Sequence, residues 1–447
     1  MIDRMRINKQ QETLDKTRLL GSHLTPVSIF QTYILPEIRP LLPDHNFMDL
    51  FCGEGNLILP MLDLLPRSER TDYFRKHIQM YDVDPEMVNK SIENAAEYGV
   101  DPKVLEDRIR VRDSILSYPE VRNPLKTIHI TNPPYLYVGH IMKHAEASSH
   151  ASYFIGKNEG YQDLYQLALI NDLRHCIQKL VYVIPTNFLF ADSASRKIRL
   201  DFLARYFISK CRLFESRIFE NTGVNVGIFE FVLDPKGEHS SIQFDAVQEN
   251  QNLKVKRFTL DISSGFRQKM NIDEISSIGG VDRIKAKFYL TIDEVMGSGG
   301  NMDVTLVDSK HFSNGRYSRS TFSVDDRLHR KLLSNPLFVR TVDTGSPDGR
   351  AGLHDIREEF DADGIVVSGN TYRTNPIQLF IQPDITREQS MKLMHLFNNK
   401  LEKMRSESDS SFMTTYRYSS NPRYIRKYLG LKQVSTIISS FRLDDLS

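Results

Sequence analysis

The stretch Ile128-His129-Ile130-Thr131-Asn132-Pro133-Pro134-Tyr135 constrains this chain more than any other. Its β-branched run reads as a buried strand, and two successive prolines must end it. Neither proline can donate a ladder hydrogen bond, and each restricts the residue before it. Asn132 and the carbonyl of Pro133 are therefore expected in a stiff, extended turn at a strand end. Two rigid acceptors beside an aromatic ring suit a planar molecule bearing an NH2 group. The Asn132 amide oxygen and the Pro133 carbonyl take its two hydrogens, and Tyr135 packs on its face. A proline-rich turn after a core strand is the plainer account, so the motif has to be weighed with the rest of the chain.

Upstream, an apolar strand ends in Asp49, and the turn Phe51-Cys52-Gly53-Glu54-Gly55 precedes a helix expected over residues 57–65. Glycine permits close backbone approach to a ligand, and a helix N-terminus offers free N–H groups. The three spaced glycines of a dinucleotide loop are missing, and no basic residue stands there to meet a pyrophosphate. The acids Asp49 and Glu54 suit a cationic, phosphate-free ligand instead, although the turn also fits ordinary α/β loop geometry. A second strand ends in Asp82, placed to accept both hydroxyls of a ribose, with Val83 beside it. Asp84 can cap the helix expected over residues 86–98. A third strand ends at Asp113-Ser114. Before all of these, Thr25-Pro26 opens a helix running towards Ile38, an ordinary N-cap and first-turn pair.

After the diproline turn, residues 136–160 lack periodicity and read as a mobile loop. A helix opens at Asp163-Leu164-Tyr165, residues 179–189 form another buried strand, and residues 195–207 are amphipathic. This alternation predicts an α/β fold with a doubly wound, mostly parallel sheet. In such a sheet ligands bind outside the carboxyl ends of the strands, so Asp49, Asp82, Asp113 and Asn132 would line one cleft. Each has a bland explanation alone; their shared order and placement do not have an equally good one.

These motifs resemble those of the S-adenosylmethionine-dependent amino-methyltransferases, in particular the adenine-specific DNA methyltransferases that carry Asn-Pro-Pro-Tyr. The four residues also occur in RNA methyltransferases and in enzymes that methylate a glutamine side chain. The resemblance extends to Phe231 and implies a Rossmann-like methyltransferase domain with S-adenosylmethionine as cofactor. It implies that Thr25 and Pro26 contact the methionine part, that Asp49 faces its ammonium group, and that Phe51, Cys52, Gly53 and Gly55 form the cofactor turn. Asp82 would hold the ribose, Val83 the adenine ring, and Asp113 with Ser114 the adenine amino group, while Asp163 and Tyr165 shape the pocket. Asn132, Pro133, Pro134 and Tyr135 would form the transfer turn, with Asn132 bordering both cofactor and substrate. Phe219 matches the aromatic residue that stacks on the far side of the target base; a core phenylalanine is its alternative.

A chain of 447 residues favours two domains. The strand-helix rhythm fades after Asp234-Pro235-Lys236-Gly237, which divides a catalytic domain over 1–236, including a polar arm over 1–20, from an α+β domain over 237–447. A net charge of +1 is less basic than many nucleic-acid binders carry, but local patches matter more than the total. Arg417-Tyr418 and Arg423-Tyr424-Ile425-Arg426-Lys427 interleave aromatics with cations, as a nucleic-acid surface or an amphipathic helix does. The resemblance makes the second domain a target-recognition domain and double-stranded DNA the partner. It also allows a separately encoded restriction endonuclease, and it says nothing of oligomeric state. Cys52, Cys176 and Cys211 have neither metal-ligand nor redox-pair spacing, so no metal is expected. With no membrane-spanning run and no signal peptide, a cytoplasmic protein is expected. The implied reaction is methyl transfer to the N6 amino group of a flipped adenine in a specific DNA sequence. Cytosine or RNA methylation, or a non-catalytic DNA-binding protein on the same fold, are the alternatives.

Overall fold

A computed structural model of the chain describes residues 24–142, 145–214, 225–249, 253–269, 271–276, 283–343, 349–371, 374–408, 413–415 and 427–447. The chain divides into two compact units, Met1–Gln268 and Lys269–Ser447. The first is built on nine strands: β1 (Asn46–Asp49), β2 (Ile78–Asp82), β3 (Ile109–Val111), β4 (Thr127–Thr131), β5 (Lys179–Pro185), β6 (Tyr206–Phe214), β7 (Val226–Leu233), β8 (Ser241–Glu249) and β9 (Leu253–Asp261). They form one sheet in the order β3-β2-β1-β4-β5-β7-β6-β8-β9. The five strands from β3 to β5 are parallel, β7 runs antiparallel between β5 and β6, and β8 returns parallel to β6.

The chain starts at β1, steps outward to β2 and β3, then crosses back to β4 on the other side of β1. The strand order therefore reverses between β1 and β4, and in open parallel sheets ligands bind outside the carboxyl ends of the strands at such a reversal. Asp49 ends the one strand and Asn132 follows the other. Every residue of β4 is buried, as are all residues of β5 after Lys179. That is why these strands read as continuous rather than alternating runs: both faces of a parallel sheet are covered. Helices Arg67–His77, Pro85–Glu97, Pro102–Arg108, Leu164–Arg174 and Arg196–Leu203 supply the crossovers.

Several expectations need correction. The helix expected over 57–65 is a 3-10 helix, Leu59–Leu64, with Pro60 removing a donor from its first turn. Residues 136–142 and 145–160 hold short helical turns, among them Val138–Ile141 and Gly156–Asn158. The helix expected over 195–207 ends at Leu203, because Tyr206 already begins β6. The division of the chain falls after Gln268 and not near Gly237, since the β8–β9 hairpin completes the first sheet.

The second unit has strands β10 (Lys285–Phe288), β11 (Met302–Ser313), β12 (Arg316–Val324), β13 (Leu337–Arg340), β14 (Val342–Asp343), β15 (Gly352–Asp355), β16 (Gly364–Val366), β17 (Ile377–Gln382), β18 (Thr414–Thr415) and β19 (Lys427–Tyr428). They form small sheets ordered β10-β17-β13-β15, β12-β11-β16 and β14-β19-β18. With helices such as Asp326–Ser334 and Arg387–Ser408, this is an α+β arrangement. Val304, Leu306, Val324, Leu328, Leu332 and Phe380 form one of its cores. Lys427, expected on a DNA-facing surface, is buried in β19, whose backbone pairs it with Asp343. The companion residues Arg417, Tyr418, Arg423, Tyr424 and Arg426 lie outside the described residues, as does the arm over 1–20.

Candidate functional site

The carboxyl ends of β1 and β2 carry two carboxylates in different states of engagement. Asp49, 1% exposed, accepts the Thr131 hydroxyl at 2.6 Å and the Phe51 N–H at 3.0 Å, both on Oδ1. Burial pushes its carboxyl up to about 6 in spite of those two bonds. Asp82 accepts the Gly53 N–H on one oxygen and the Asp84 N–H on the other, each at 2.9 Å, and burial raises its pKa as well. The expected ribose acceptor thus also ties the glycine turn to β2. Asp84 caps the helix Pro85–Glu97 by accepting the Glu86 N–H at 3.0 Å.

Between these acids the glycines are required twice over. Gly53 and Gly55 have φ of 53° and 88°, a left-handed backbone that other residues rarely adopt. A Cβ on Gly53 would stand 2.9 Å from Leu24 Cδ2, and one on Gly55 would stand 2.5 Å from Leu59 Cδ1. The turn therefore leaves bare backbone between Asp49 and Asp82, with Phe51 half-buried and Cys52 buried beside it. Glu54, expected as a second acid facing a cation, is instead paired with Lys90. The acidic rim consists of Asp49 and Asp82.

Asn132 is joined to this turn through Thr25. Its amide nitrogen donates to Thr25 Oγ1 at 3.0 Å, and the Asn56 amide nitrogen donates to the Thr25 carbonyl, also at 3.0 Å. Thr25 is 4% exposed and clamps the two turns from between. It does not cap the following helix, whose N-cap position is Pro26, itself exposed. The Tyr135 hydroxyl lies against both Asn132 Oδ1 and the Val183 carbonyl, the latter at 2.6 Å. These contacts fix which way the Asn132 amide faces.

The expectation that Tyr135 offers a ring face to a substrate does not hold: the ring is 1% exposed and meets Tyr165 edge-on at 6.5 Å. Its place is beneath the turn, where burial drives its hydroxyl pKa far up. Two residues on, Tyr137 is 43% exposed. Pro133 is buried and Pro134 half-buried. The Leu136 N–H donates to Asp163 Oδ1 at 2.8 Å, so Asp163, at the N-cap of Leu164–Arg174, holds the end of the motif rather than its own helix. Tyr165 is buried, with its hydroxyl 3.2 Å from Ser195 Oγ and pushed up to about 12 by burial.

Asp113, expected to take an adenine amino group, already accepts the Ile115 and Leu116 N–H groups at 3.1 Å and the Tyr153 hydroxyl at 2.7 Å. Its Oδ1 shapes the turn, and its Oδ2 takes the Tyr153 hydroxyl. Beside it the Ser114 hydroxyl is buried without a hydrogen-bond partner among the described residues. Val83, 51% exposed, lies open next to Asp82. Phe219 falls outside the described residues.

Sequence reasoning missed a buried network under the rim. The Leu50 N–H donates to His129 Nε2 at 3.2 Å, and His129 Nδ1 meets Asp172 Oδ2 at 2.8 Å. The hydroxyls of Tyr118 and Tyr182 each donate to Asp172 at 2.5 Å. Because Nε2 accepts, that nitrogen carries no hydrogen, and Nδ1 is the donor to Asp172. One signal was visible: a histidine between Ile128 and Ile130 in a strand buried on both faces must find partners there.

Among the described residues no group of three or more His, Cys, Asp or Glu side chains is arranged to hold a metal ion, and no helix is long and apolar enough to cross a membrane. The family model described as N-6 DNA Methylase matches residues 11–305. No curated protein matches the sequence. Solved structures similar to the chain include the type IIL restriction-modification enzyme MmeI in complex with DNA, at 12% identity and a TM-score of 0.48, covering 85% of this chain and 64% of that one. The type I restriction enzyme EcoKI M protein matches at 14% identity and a TM-score of 0.36, over 51% of this chain and 48% of that one. A type I restriction-modification methyltransferase subunit from Streptococcus thermophilus matches at 15% identity and a TM-score of 0.32, over 45% and 42%. The chain spans less than two thirds of the length of each.

Proposed function

The chain belongs to the N-6 DNA methylase family, and on that premise we propose that it transfers a methyl group from S-adenosylmethionine to the exocyclic amino nitrogen of adenine in a specific DNA sequence. The observation that carries this reading is the Thr25 clamp, which holds the amine-accepting turn at Asn132 against the glycine turn that separates Asp49 from Asp82.

The residues fit the cofactor. Two acids raised by burial suit a ligand that brings its own positive charge and hydroxyls, and the left-handed turn at Gly53 and Gly55, packed on Leu24 and Leu59, presents backbone between them. Asp49 would meet the ammonium group and Asp82 the ribose; Thr25, Pro26, Phe51 and Cys52 would border the methionine part. Exposed Val83 would cover the adenine ring, and the unpartnered Ser114 hydroxyl, with Asp113, would reach its edge. When bound, S-adenosylmethionine supplies an electrophilic methyl group on a sulfonium.

The chain's own work is to present the amine. Its nitrogen lone pair is delocalised into the ring and is a poor nucleophile. The Asn132 amide oxygen and the Pro133 carbonyl accept its two hydrogens, favour a more tetrahedral nitrogen and direct the lone pair outward. For this Asn132 Oδ1 must be available, which the Tyr135 hydroxyl allows by settling on the Val183 carbonyl. The nitrogen would gain the methyl carbon as the sulfonium carbon–sulfur bond breaks and its electron pair stays on sulfur as a neutral thioether, and it would release one proton to solvent, because neither acceptor can keep it. The base must leave the duplex at a cost of a few kcal/mol. With Tyr135 beneath the turn, Tyr137 and Phe219 are the rings assigned to its faces. Duplex DNA is the partner, the second unit the target-recognition domain, and the cytoplasm the location; a separately encoded endonuclease is the further partner this reading expects.

The test is incubation with methyl-labelled S-adenosylmethionine and, separately, unmodified duplex DNA, RNA and protein, followed by digestion and mass identification. Label in N6-methyladenine of DNA is expected; label in cytosine, in RNA or in a glutamine side chain would replace this reading.

A further inference from the structure

The β11–β12 hairpin of the second unit plays no part in the site above, yet its chemistry is unusually one-sided. Residues 309–324 contain Lys310, His311, Arg316 and Arg319, six serines and threonines, and no aspartate or glutamate. Residues 311–316, which make the tip, are all exposed, and along β12 so are Ser318, Arg319, Ser320, Thr321 and Ser323. β12 is the edge strand of its three-stranded sheet.

The tip is shaped rather than loose. Asn314 and Gly315 take φ of 51° and 78°, the two-residue turn whose twist matches that of a β-ribbon. A register shift between Asp308 and Phe312 bends the strand leading into it. Phe312, 60% exposed, is steadied by Tyr317 at 4.7 Å between ring centroids. The neighbouring acids engage the first residue of the tip and groups farther along the ribbon: Asp308 takes His311 Nδ1 at 2.7 Å, Asp303 the Ser323 hydroxyl at 2.8 Å, and Asp361 meets Arg319 at 3.3 Å. Positive charge and an apolar ring are thereby presented together at the end of a ribbon, with Arg316 foremost. Cations on an edge strand do discourage edge-to-edge pairing. That purpose calls for neither the run of hydroxyls nor an exposed phenylalanine at the tip.

We propose that this hairpin is a DNA-contacting ribbon that enters the major groove of the duplex, with Arg316 on a phosphate and Phe312 against the base edges. The groove admits a two-stranded β-ribbon, an apolar ring there can meet the thymine methyl, and serine hydroxyls are ordinary phosphate donors. The inference rests on the reading above that duplex DNA is the substrate.

The experiment uses the full chain and a linear duplex from an unmethylated plasmid, with binding measured over a salt series and methyl transfer beside it. Arg316→Gln should reduce the slope of log K against log salt by about 0.9 and weaken binding roughly five-fold at physiological salt; Arg316→Lys should restore the slope. Phe312→Ala should weaken binding without altering the slope, and both losses should fall on KM for DNA with cofactor affinity unchanged. An unaltered chain that binds and methylates the duplex, together with Arg316→Gln and Phe312→Ala variants that match it in affinity and slope, overturns the ribbon alone. Transfer to RNA or protein with no duplex binding overturns both the ribbon and the reading beneath it.

Discussion

Lowering the pH from 7 to 5 should weaken S-adenosylmethionine binding about tenfold, and Asp49 should be the cause. Its ordinary carboxyl value of 3.8 is raised to about 6 in the folded chain, chiefly by burial. Between those values the folded state holds a proton that the unfolded state has released. Asp49 therefore contributes less to stability as pH rises from 3.8 to about 6, and its contribution is level above that. A shift of about two units corresponds to roughly 3 kcal/mol spent at neutral pH on keeping a desolvated charge. An ammonium group placed against the carboxylate removes most of that cost, so the strain in the free protein becomes affinity for a cation. At pH 5 only about one molecule in ten has Asp49 ionised, which gives the tenfold loss. Calorimetry at pH 5, 6 and 7, in buffers of different ionisation heat, reads both the affinity and the proton released on binding below pH 6. Asp49→Asn keeps an oxygen for Thr131 and Phe51; it should raise the stability of the free protein at pH 7, weaken the cofactor and abolish this pH dependence. Equal affinity at pH 5 and 7 in the unaltered chain, or the same slope in Asp49→Asn, would refute the reasoning.

Thr25→Val removes the acceptor of the Asn132 amide and should slow transfer about five-fold, for a net hydrogen-bond loss near 1 kcal/mol, while Thr25→Ser keeps the rate; single-turnover kinetics decide. Asp172→Asn leaves three buried donors competing for one fewer acceptor and should lower stability by roughly 3 kcal/mol in urea unfolding, and adding Tyr118→Phe should cost less than the sum of the two. Gly55→Ala forces a Cβ to 2.5 Å from Leu59 at a φ of 88° and should destabilise the turn by about 1–3 kcal/mol and weaken the cofactor, read by thermal melting with and without it.

The parts of the fold that could be read from the chain are those where local chemistry leaves few options. Two prolines after a β-branched run must end a strand, and β4 stops at Thr131. Acids after apolar runs mark strand ends, and β1 and β2 end at Asp49 and Asp82. What escaped depends on distant partners. Tyr135 looked like a stacking ring until the Val183 carbonyl, 48 positions away, drew its hydroxyl inward. The alternation of β8 suited an independent domain as well as a ninth-strand sheet; its pairing with β6 decides, and composition does not encode that. Lys427 sits in a basic run yet is buried, because β19 pairs with β14. His129 and Asp172 are 43 positions apart, so neither announces the other.

In the proposed reaction Asn132 acts on the amine and not on the cofactor. Asn132→Ala, assayed for S-adenosylmethionine affinity and for methyl transfer to unmodified duplex DNA in the same preparation, separates the two. Affinity close to that of the unaltered chain with transfer slowed at least about a hundredfold is the predicted outcome. Transfer that survives the substitution would contradict it.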